Sequence, residues 1–226
     1  MQEQIQITRK YFYEFFSLAF DFIDEEKFNI FITQAKFLSQ IPLEDKLTKD
    51  FEIILTYDLK TFLQEQNAVF FDFSYVNVPT TASFYDEGRD DGRKKLQACA
   101  ILRKSPYRKD EKSSQSEDEF GFIFALMPYL IDFDKELAKE FFEKILNSVI
   151  DEFIEKLKIH KNSNFFIHFG NIMEVFFKFE RSILNLEKPK KTTSKSIADI
   201  ALERLPYESK LPTQFSKINI DELSKL

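Results

Sequence analysis

The sequence predicts an all-α protein, a helical bundle of two subdomains joined by a hinge loop. Three observations lead to this prediction. Apolar residues recur at three- and four-residue steps along most of the chain, which is the spacing of one helix face. Only four of the 226 residues are glycine, which disfavours the tight turns of β-hairpins. Only one short stretch, residues 68–78, alternates as a β-strand would.

The first part of the chain, residues 1–104, is predicted to form the N-terminal helical subdomain. Tyr11, Phe15 and Leu18 lie on one apolar stripe, and Asp24 with the acidic residues after it suits the positive end of a second helix. Ile41 precedes a proline, which ends that helix. Helices are expected at residues 5–23, 24–41, 45–66 and 94–102.

Residues 68–78 read as an extended connector, because a single strand would have no partner to pair with. Phe70, Phe71 and Phe73 are expected to pack from this connector onto the helices. Pro79 then fixes a turn. The polar sequence DEGRDDGR beyond Tyr85 indicates an exposed loop before the next helix.

Residues 105–116 have the composition of a hinge loop and separate a C-terminal helical subdomain at residues 117–187. Ser116 is predicted to cap the helix that follows, with Glu119 at the third position of a capping box. Further helices are expected at about residues 120–131, 134–159 and 164–186. Residues 188–226 are predicted to be a linker and tail with a short helix near residues 196–204.

Composition and charge limit the location and the partners. Cys99 is the single cysteine, so no intramolecular disulfide can form, which fits a reducing compartment. We expect a cytoplasmic protein, because the sequence has neither a secretion signal nor an apolar run long enough to span a bilayer. The net charge is −6, with −8 on the residues before Glu187 and +2 on the rest, and this acidic body disfavours nucleic acid and favours a cationic partner.

The sequence offers few parts for catalysis, so no enzyme activity, catalytic residue, cofactor or metal is predicted. The four glycines match no nucleotide-binding motif. His160 and His168 are eight residues apart, without the neighbouring ligands of a zinc site. Neither histidine follows the pattern of a nucleophile's partner.

The carboxylates Glu117, Asp118 and Glu119 allow two interpretations. They are ordinary acids at the start of a helix, where the helix dipole favours them. Alternatively, they combine with the acidic turn at residues 86–91 into an acidic rim beside aromatic residues. Such a rim complements a peptide in which positive charge precedes an apolar run, the layout of twin-arginine export signals.

Two segments resemble the signature of the TorD/DmsD family of chaperones for exported molybdoenzymes. Residues 79–85, PTTASFY, resemble the family's P-x-W-x-S-V-Y segment, and residues 115–121, QSEDEFG, resemble its E-P-x-D-H hinge motif. Asp118 is retained, whereas Thr81 stands at the Trp position and Glu119 at the His position. RKYFYEFFSLAF and NFFIHFGNIMEVFFKF are similar to the family's first and last core helices.

The resemblance implies a TorD-like fold and a cytoplasmic chaperone without a catalytic step. Its partner would be the twin-arginine signal peptide or the apo-form of a molybdoenzyme large subunit, such as a formate dehydrogenase or an oxide reductase, and binding would delay export until the cofactor is inserted. No nucleic acid and no membrane insertion are expected, and the chain would be a monomer or a swapped homodimer. The predicted peptide-binding residues are Phe70, Phe71, Pro79, Ser83, Tyr85, Glu117, Asp118, Glu119 and Phe120. The alternative is a helical adaptor that binds a folded partner without recognising a peptide.

Overall fold

The computed structural model describes residues 2–72, 77–190 and 195–203. These residues form helices and connecting turns, and within them the sole β-type pairing is an isolated antiparallel bridge between Thr81 and Glu119. The predicted all-α fold is therefore confirmed. No helix among these residues is both long enough and apolar enough to cross a bilayer.

Eleven α-helices are present in the described residues. They are α1 (Gln2–Ala19), α2 (Glu25–Gln40), α3 (Thr48–Ile54), α4 (Leu59–Gln66), α5 (Ala82–Glu87), α6 (Arg93–Leu102), α7 (Phe120–Phe133), α8 (Lys135–Phe141), α9 (Ile150–Ile159), α10 (Phe165–Leu184) and α11 (Ile197–Glu203). A short 3-10 helix, Asp45–Leu47, precedes α3, and two π-helical turns lie at Asn67–Phe71 and Phe142–Leu146.

The prediction of a single helix at residues 45–66 is wrong, because two helices, α3 and α4, lie there. The chain leaves the helix after Ile54, and Asp58 begins α4 with a capping box in which its carboxylate accepts the Thr61 N–H at 2.8 Å. A cap of this kind satisfies N–H groups that have no partner inside the helix. The helix predicted at residues 134–159 is likewise interrupted, by the π-helical turn and the turn that follows it.

The extended connector predicted at residues 68–78 is also wrong over its first half, because Asn67–Phe71 is a π-helical turn. Phe70 is buried against Phe166, with ring centroids 4.9 Å apart. Phe71 is 42% exposed and stacks on Phe22. The predicted packing of Phe73 lies outside the described residues.

The core is one cluster of buried aromatic and aliphatic side chains centred on α1, which packs against α7 and α10. Phe16 contacts Phe124 of α7 and Phe176 of α10, with ring centroids 5.9 Å and 5.2 Å apart. Helices from both sides of the loop at residues 105–116 thus share this core. The division into two subdomains with a hinge stays a prediction.

One ion pair lies inside this core. Arg9 of α1 donates two hydrogen bonds to the Glu180 carboxylate, each at 2.6 Å, and the Tyr13 hydroxyl donates a third at 3.0 Å. All three side chains are almost fully buried. The carboxylate is thus satisfied by its neighbours, and the pair links α1 to α10 inside the core.

The long helix α10 begins where another helix supplies its cap. The Glu65 carboxylate of α4 accepts the backbone N–H groups of Asn164, Phe165 and Phe166 at 2.8–3.0 Å. A carboxylate at this end stabilises the helix through both hydrogen bonds and the dipole. The cap of α10 is therefore supplied by a residue about 100 positions earlier in the chain.

Candidate functional site

The two segments that carry the TorD-like motifs meet in space. The Phe120 N–H donates to the Thr80 carbonyl at 2.9 Å, and the Ala82 N–H donates to the Asp118 carbonyl at 2.8 Å. These two bonds flank the bridge between Thr81 and Glu119. The first turns of α5 and α7 are therefore held side by side by their own backbones.

The Asp118 side chain links the two segments through hydrogen bonds. Its side chain is fully buried; one carboxylate oxygen accepts the Ser83 N–H at 3.0 Å, and the other accepts the Ser116 hydroxyl at 2.7 Å. The Ser83 hydroxyl, also buried, accepts the Lys95 N–H at 3.2 Å. Asp118 therefore connects the start of α5, the end of the loop and the approach to α7.

Tyr85 and Phe120 form the apolar base of the junction. Phe120 is fully buried and stacks on Phe153 at 3.9 Å, and Tyr85 packs against both rings. The Tyr85 hydroxyl donates to the Pro79 carbonyl at 2.9 Å. Burial raises the pKa of Tyr85 well above its usual value, so this hydroxyl keeps its proton and the bond.

The capping box predicted at residues 116–119 is only half formed. The Glu119 carboxylate accepts the Ser116 N–H at 3.0 Å, as predicted. The Ser116 hydroxyl, however, bonds Asp118, and Glu119 is the N-cap of α7 with extended backbone angles. The prediction that Ser116 caps α7 is wrong, because the residues between Ser116 and the helix pair with residues 80–82 instead of entering the helix.

An open groove of about 660 Å³ lies over this junction, and we call it the junction groove. Its lining residues come from the turn before α5, the acidic turn after it, the loop end and α11. They are Phe70, Asn77, Val78, Pro79, Thr80, Thr81, Phe84, Asp90, Asp91, Lys95, Lys109, Ser114, Gln115, Ser116, Glu119 and Leu202.

The charges of the junction groove are not balanced. Lys95 pairs with Asp91, and Lys109 pairs with Glu117 at 3.4 Å beside the groove. Asp90 accepts the Thr81 hydroxyl, and neither Asp90 nor Glu119 has an ion-pair partner among the described residues. Three carboxylates thus line the groove against two ammonium groups.

The pKa values of the neighbouring glutamates differ for physical reasons. Burial, followed by the negative charges of Asp118 and Asp90, raises the pKa of Glu119. Burial opposes ionisation of Glu117 too, but a backbone hydrogen bond and Lys109 outweigh it and lower its pKa. The Glu119 carboxyl is therefore the harder of the two to ionise.

Helix α11 forms one wall of the junction groove. Ala198 is fully buried, and Ala201 packs over Gly88, where a Cβ would lie 3.0 Å from that of Ala201. Asp199 forms an ion pair with Lys156 of α9, which lowers the pKa of Asp199 to about 2. Leu202 of the docked helix borders the groove.

The structure places the nine predicted peptide-binding residues in three settings. Phe70, Pro79 and Glu119 line the junction groove. The residues buried beneath it are Ser83, Tyr85, Asp118 and Phe120. Phe71 and Glu117 lie outside the lining, Phe71 on Phe22 and Glu117 on Lys109. That these nine residues bind a peptide stays a prediction.

Thirteen of the sixteen lining residues were not among the predicted site residues, and Asp90, Phe84 and Leu202 show why. Asp90 belongs to the acidic turn that the sequence pointed to, so its residue type was the available signal. Phe84 lies inside the motif at residues 79–85 and is half-buried. Leu202 carries no signal, since its place depends on how α11 docks. Within the described parts of the chain, no three side chains of His, Cys, Asp or Glu are arranged to hold a metal.

The fold is similar to that of a known crystal structure. That structure is of a protein from Archaeoglobus fulgidus, provisionally described as a redox enzyme maturation protein. The two chains are 19% identical with a TM-score of 0.55, and the match covers 75% of this chain and 93% of the other. At this identity the similarity establishes the fold alone. No protein-family model matches the chain, and no curated protein does.

Proposed function

We propose that the protein is a maturation chaperone for a redox enzyme and that it binds a basic and apolar segment of that client in the junction groove. The client segment would be a twin-arginine signal peptide or part of the apo-enzyme. The shared fold with the Archaeoglobus fulgidus protein and the resemblance at residues 79–85 and 115–121 support this proposal. Binding alone accounts for the role, so no catalytic step is required.

The observation that carries the proposal is the pair of carboxylates Asp90 and Glu119 beside an apolar floor. Phe70, Pro79 and Phe84 provide that floor. An arginine guanidinium forms charge-assisted hydrogen bonds with carboxylates, and burying apolar surface contributes about 25 cal/mol per Å². A segment in which arginine adjoins apolar residues satisfies both parts of the groove.

The buried motif residues act in this proposal as positioning residues. Asp118 and Ser83 fix the two helix starts that form the groove walls, and Tyr85 fixes the Pro79 carbonyl. Glu117 forms an ion pair with Lys109 at 3.4 Å beside the groove. The resemblance at these positions thus reflects how the groove is built.

The proposal is tested by titration calorimetry with a synthetic peptide of two adjacent arginines followed by a run of leucine and alanine. We expect the double variant Asp90→Asn/Glu119→Gln to bind it at least about tenfold more weakly, which corresponds to about 1.4 kcal/mol. The matched control is Asp45→Asn/Glu52→Gln, which removes the same charge from two exposed residues outside the groove. Equal affinity of the two double variants would show that the groove carboxylates do not bind the peptide.

A helical adaptor is the second candidate, and the outer face of α1 and α2 favours it. Ile7, Ile30 and Phe37 are each 47% exposed there, and the Tyr11 ring packs at a tilt against Phe37, with centroids 5.0 Å apart. A patch of several large exposed apolar side chains is typical of a surface that contacts another protein. The variant Ile30→Glu should remove binding of a folded partner and leave binding of the arginine peptide unchanged.

A further inference from the structure

A second groove runs along the exposed side of α7, and we call it the loop groove. It has a volume of about 500 Å³ between α7 and the loop that precedes it. Its lining residues are Leu102, Tyr107, Arg108, Lys109, Asp110, Ser113, Phe122, Ala125, Leu126 and Tyr129. Tyr107 also contacts Phe133, which is 47% exposed and continues the apolar surface along the helix.

The loop groove adjoins the junction groove. Lys109 borders both, and the neighbouring residues Ser113 and Ser114 each border one of them. On the other wall, Glu119 lines the junction groove and Phe122, one turn later, lines the loop groove. One extended chain can therefore pass from the first groove into the second without leaving the surface of α7.

The two grooves differ in the chemistry that they present. The junction groove is lined by three carboxylates and two ammonium groups, whereas the loop groove combines aromatic and aliphatic side chains with Arg108, Lys109 and the single carboxylate of Asp110. Arg108 donates to the carbonyls of Ser105 and Tyr107 at 2.8 Å and 2.6 Å, which holds its positive charge at the loop groove. A basic segment is repelled there, and an uncharged apolar segment is not.

We propose that the loop groove binds the apolar segment of the same client peptide whose arginines lie in the junction groove. This inference rests on the proposed function and adds the place and direction of the apolar segment. The direction follows from the balance of charge in the two grooves. Carboxylates outnumber ammonium groups in the junction groove, whereas Arg108 and Lys109 outnumber Asp110 in the loop groove, so the arginines are favoured in the junction groove. The two grooves together then recognise positive charge and apolar residues in a set order.

The variant Ala125→Glu tests this assignment, because Ala125 is exposed on α7 and its replacement places a carboxylate in the loop groove. We expect the peptide of two arginines followed by leucine and alanine to bind this variant about tenfold more weakly. A peptide with the same arginines followed by serine and glycine should bind both proteins equally. The control Ala100→Glu makes the same change at an exposed alanine of α6 outside both grooves.

A second variant, Tyr129→Ser, removes a 58% exposed ring from the loop groove. It should weaken binding of the peptide with leucine and alanine and leave binding of the peptide with serine and glycine unchanged. Thermal unfolding of each variant verifies that the fold is kept. If the apolar peptide binds Ala125→Glu and Tyr129→Ser as tightly as the unaltered protein, the loop groove is not its site, although the proposed function stands. If neither peptide binds the unaltered protein, the proposed function fails and this inference with it.

Discussion

The Asp118 carboxylate accepts the backbone N–H of Ser83 at 3.0 Å, and neither side chain is exposed to solvent. This bond joins the starts of α5 and α7 across 35 positions of sequence. It explains how an acidic residue of the motif can matter for the groove without touching a client. The role of Asp118 is to hold the groove walls in place.

Replacing Asp118 with alanine should lower the free energy of unfolding by about 1–3 kcal/mol, because the buried Ser83 N–H and the partly buried Ser116 hydroxyl lose their acceptor. Urea denaturation followed by circular dichroism measures this. The control Glu117→Ala, which removes a partly exposed ion pair with Lys109, should cost less than about 1 kcal/mol. Equal effects of the two variants would contradict a structural role for Asp118.

Replacing Glu180 with leucine should lower the free energy of unfolding by about 3–5 kcal/mol, since it leaves the buried Arg9 charge without a partner. The double variant Arg9→Met/Glu180→Leu should be much less destabilised, because it removes both charges. Urea titrations of Arg9→Met, Glu180→Leu and the double variant give the coupling energy between the two residues. Additive losses would show that the pair is not coupled.

Binding of the arginine peptide should depend on pH through Glu119. Burial raises the pKa of Glu119 in the folded protein above its usual value of 4.5. The contribution of Glu119 to the free energy of unfolding is therefore present below about pH 4.5 and is lost as the pH rises through the folded-state pKa. The peptide binds the ionised form, so affinity should rise as pH increases above 4.5, by at most about tenfold per pH unit. Calorimetry between acid and neutral pH measures this slope.

The variant Glu119→Gln is the control for that pH dependence. It keeps the shape of the side chain and removes its ionisation, so the rise above pH 4.5 should become shallower. An unchanged slope in this variant would assign the titration to another group.

Helix α11 should loosen when its ion pair with α9 is removed. The pair between Asp199 and Lys156 is partly exposed, so Asp199→Asn should cost about 0.5–1 kcal/mol locally and speed amide exchange in α11 about two- to fivefold. The ion pair lowers the pKa of Asp199 to about 2. Its stabilising contribution is therefore complete above pH 3.8, and that contribution is lost as the pH falls towards 2.

Hydrogen exchange with mass spectrometry measures the α11 effect. The matched control is Lys158→Met, which removes another ion pair of α9, with Glu174. It should leave exchange in α11 unchanged. Faster exchange in the control alone would refute the contact between Asp199 and Lys156 as the anchor of α11.

Much of the helical layout could be predicted because its signals are local. Asp24 caps α2 as its place in the sequence indicated, and the apolar spacing of α10 predicted its extent closely. The break before α4 also had a local signal that was overlooked, since Asp58 and Thr61 have capping-box spacing. The π-helical turn at Asn67–Phe71 had none, because it depends on packing of Phe70 against α10.

The site was less predictable than the fold. The two motif segments lie side by side in the structure, but residue type did not reveal that Asp118 and Phe120 are buried and that Glu119 lines the groove. That difference follows from the backbone pairing at Thr81, which joins residues far apart in sequence. Leu202 enters the groove through the docking of α11, which also depends on distant contacts.

The central claim is that a client peptide lies in the junction groove, and site-specific photocrosslinking tests it most directly. A photoreactive amino acid at Thr80, which lines the groove, should crosslink to the peptide of two arginines followed by leucine and alanine. The same group at Phe37, exposed on α2, should not. Crosslinking at Phe37 with none at Thr80 would contradict the account and move the binding surface to α1 and α2.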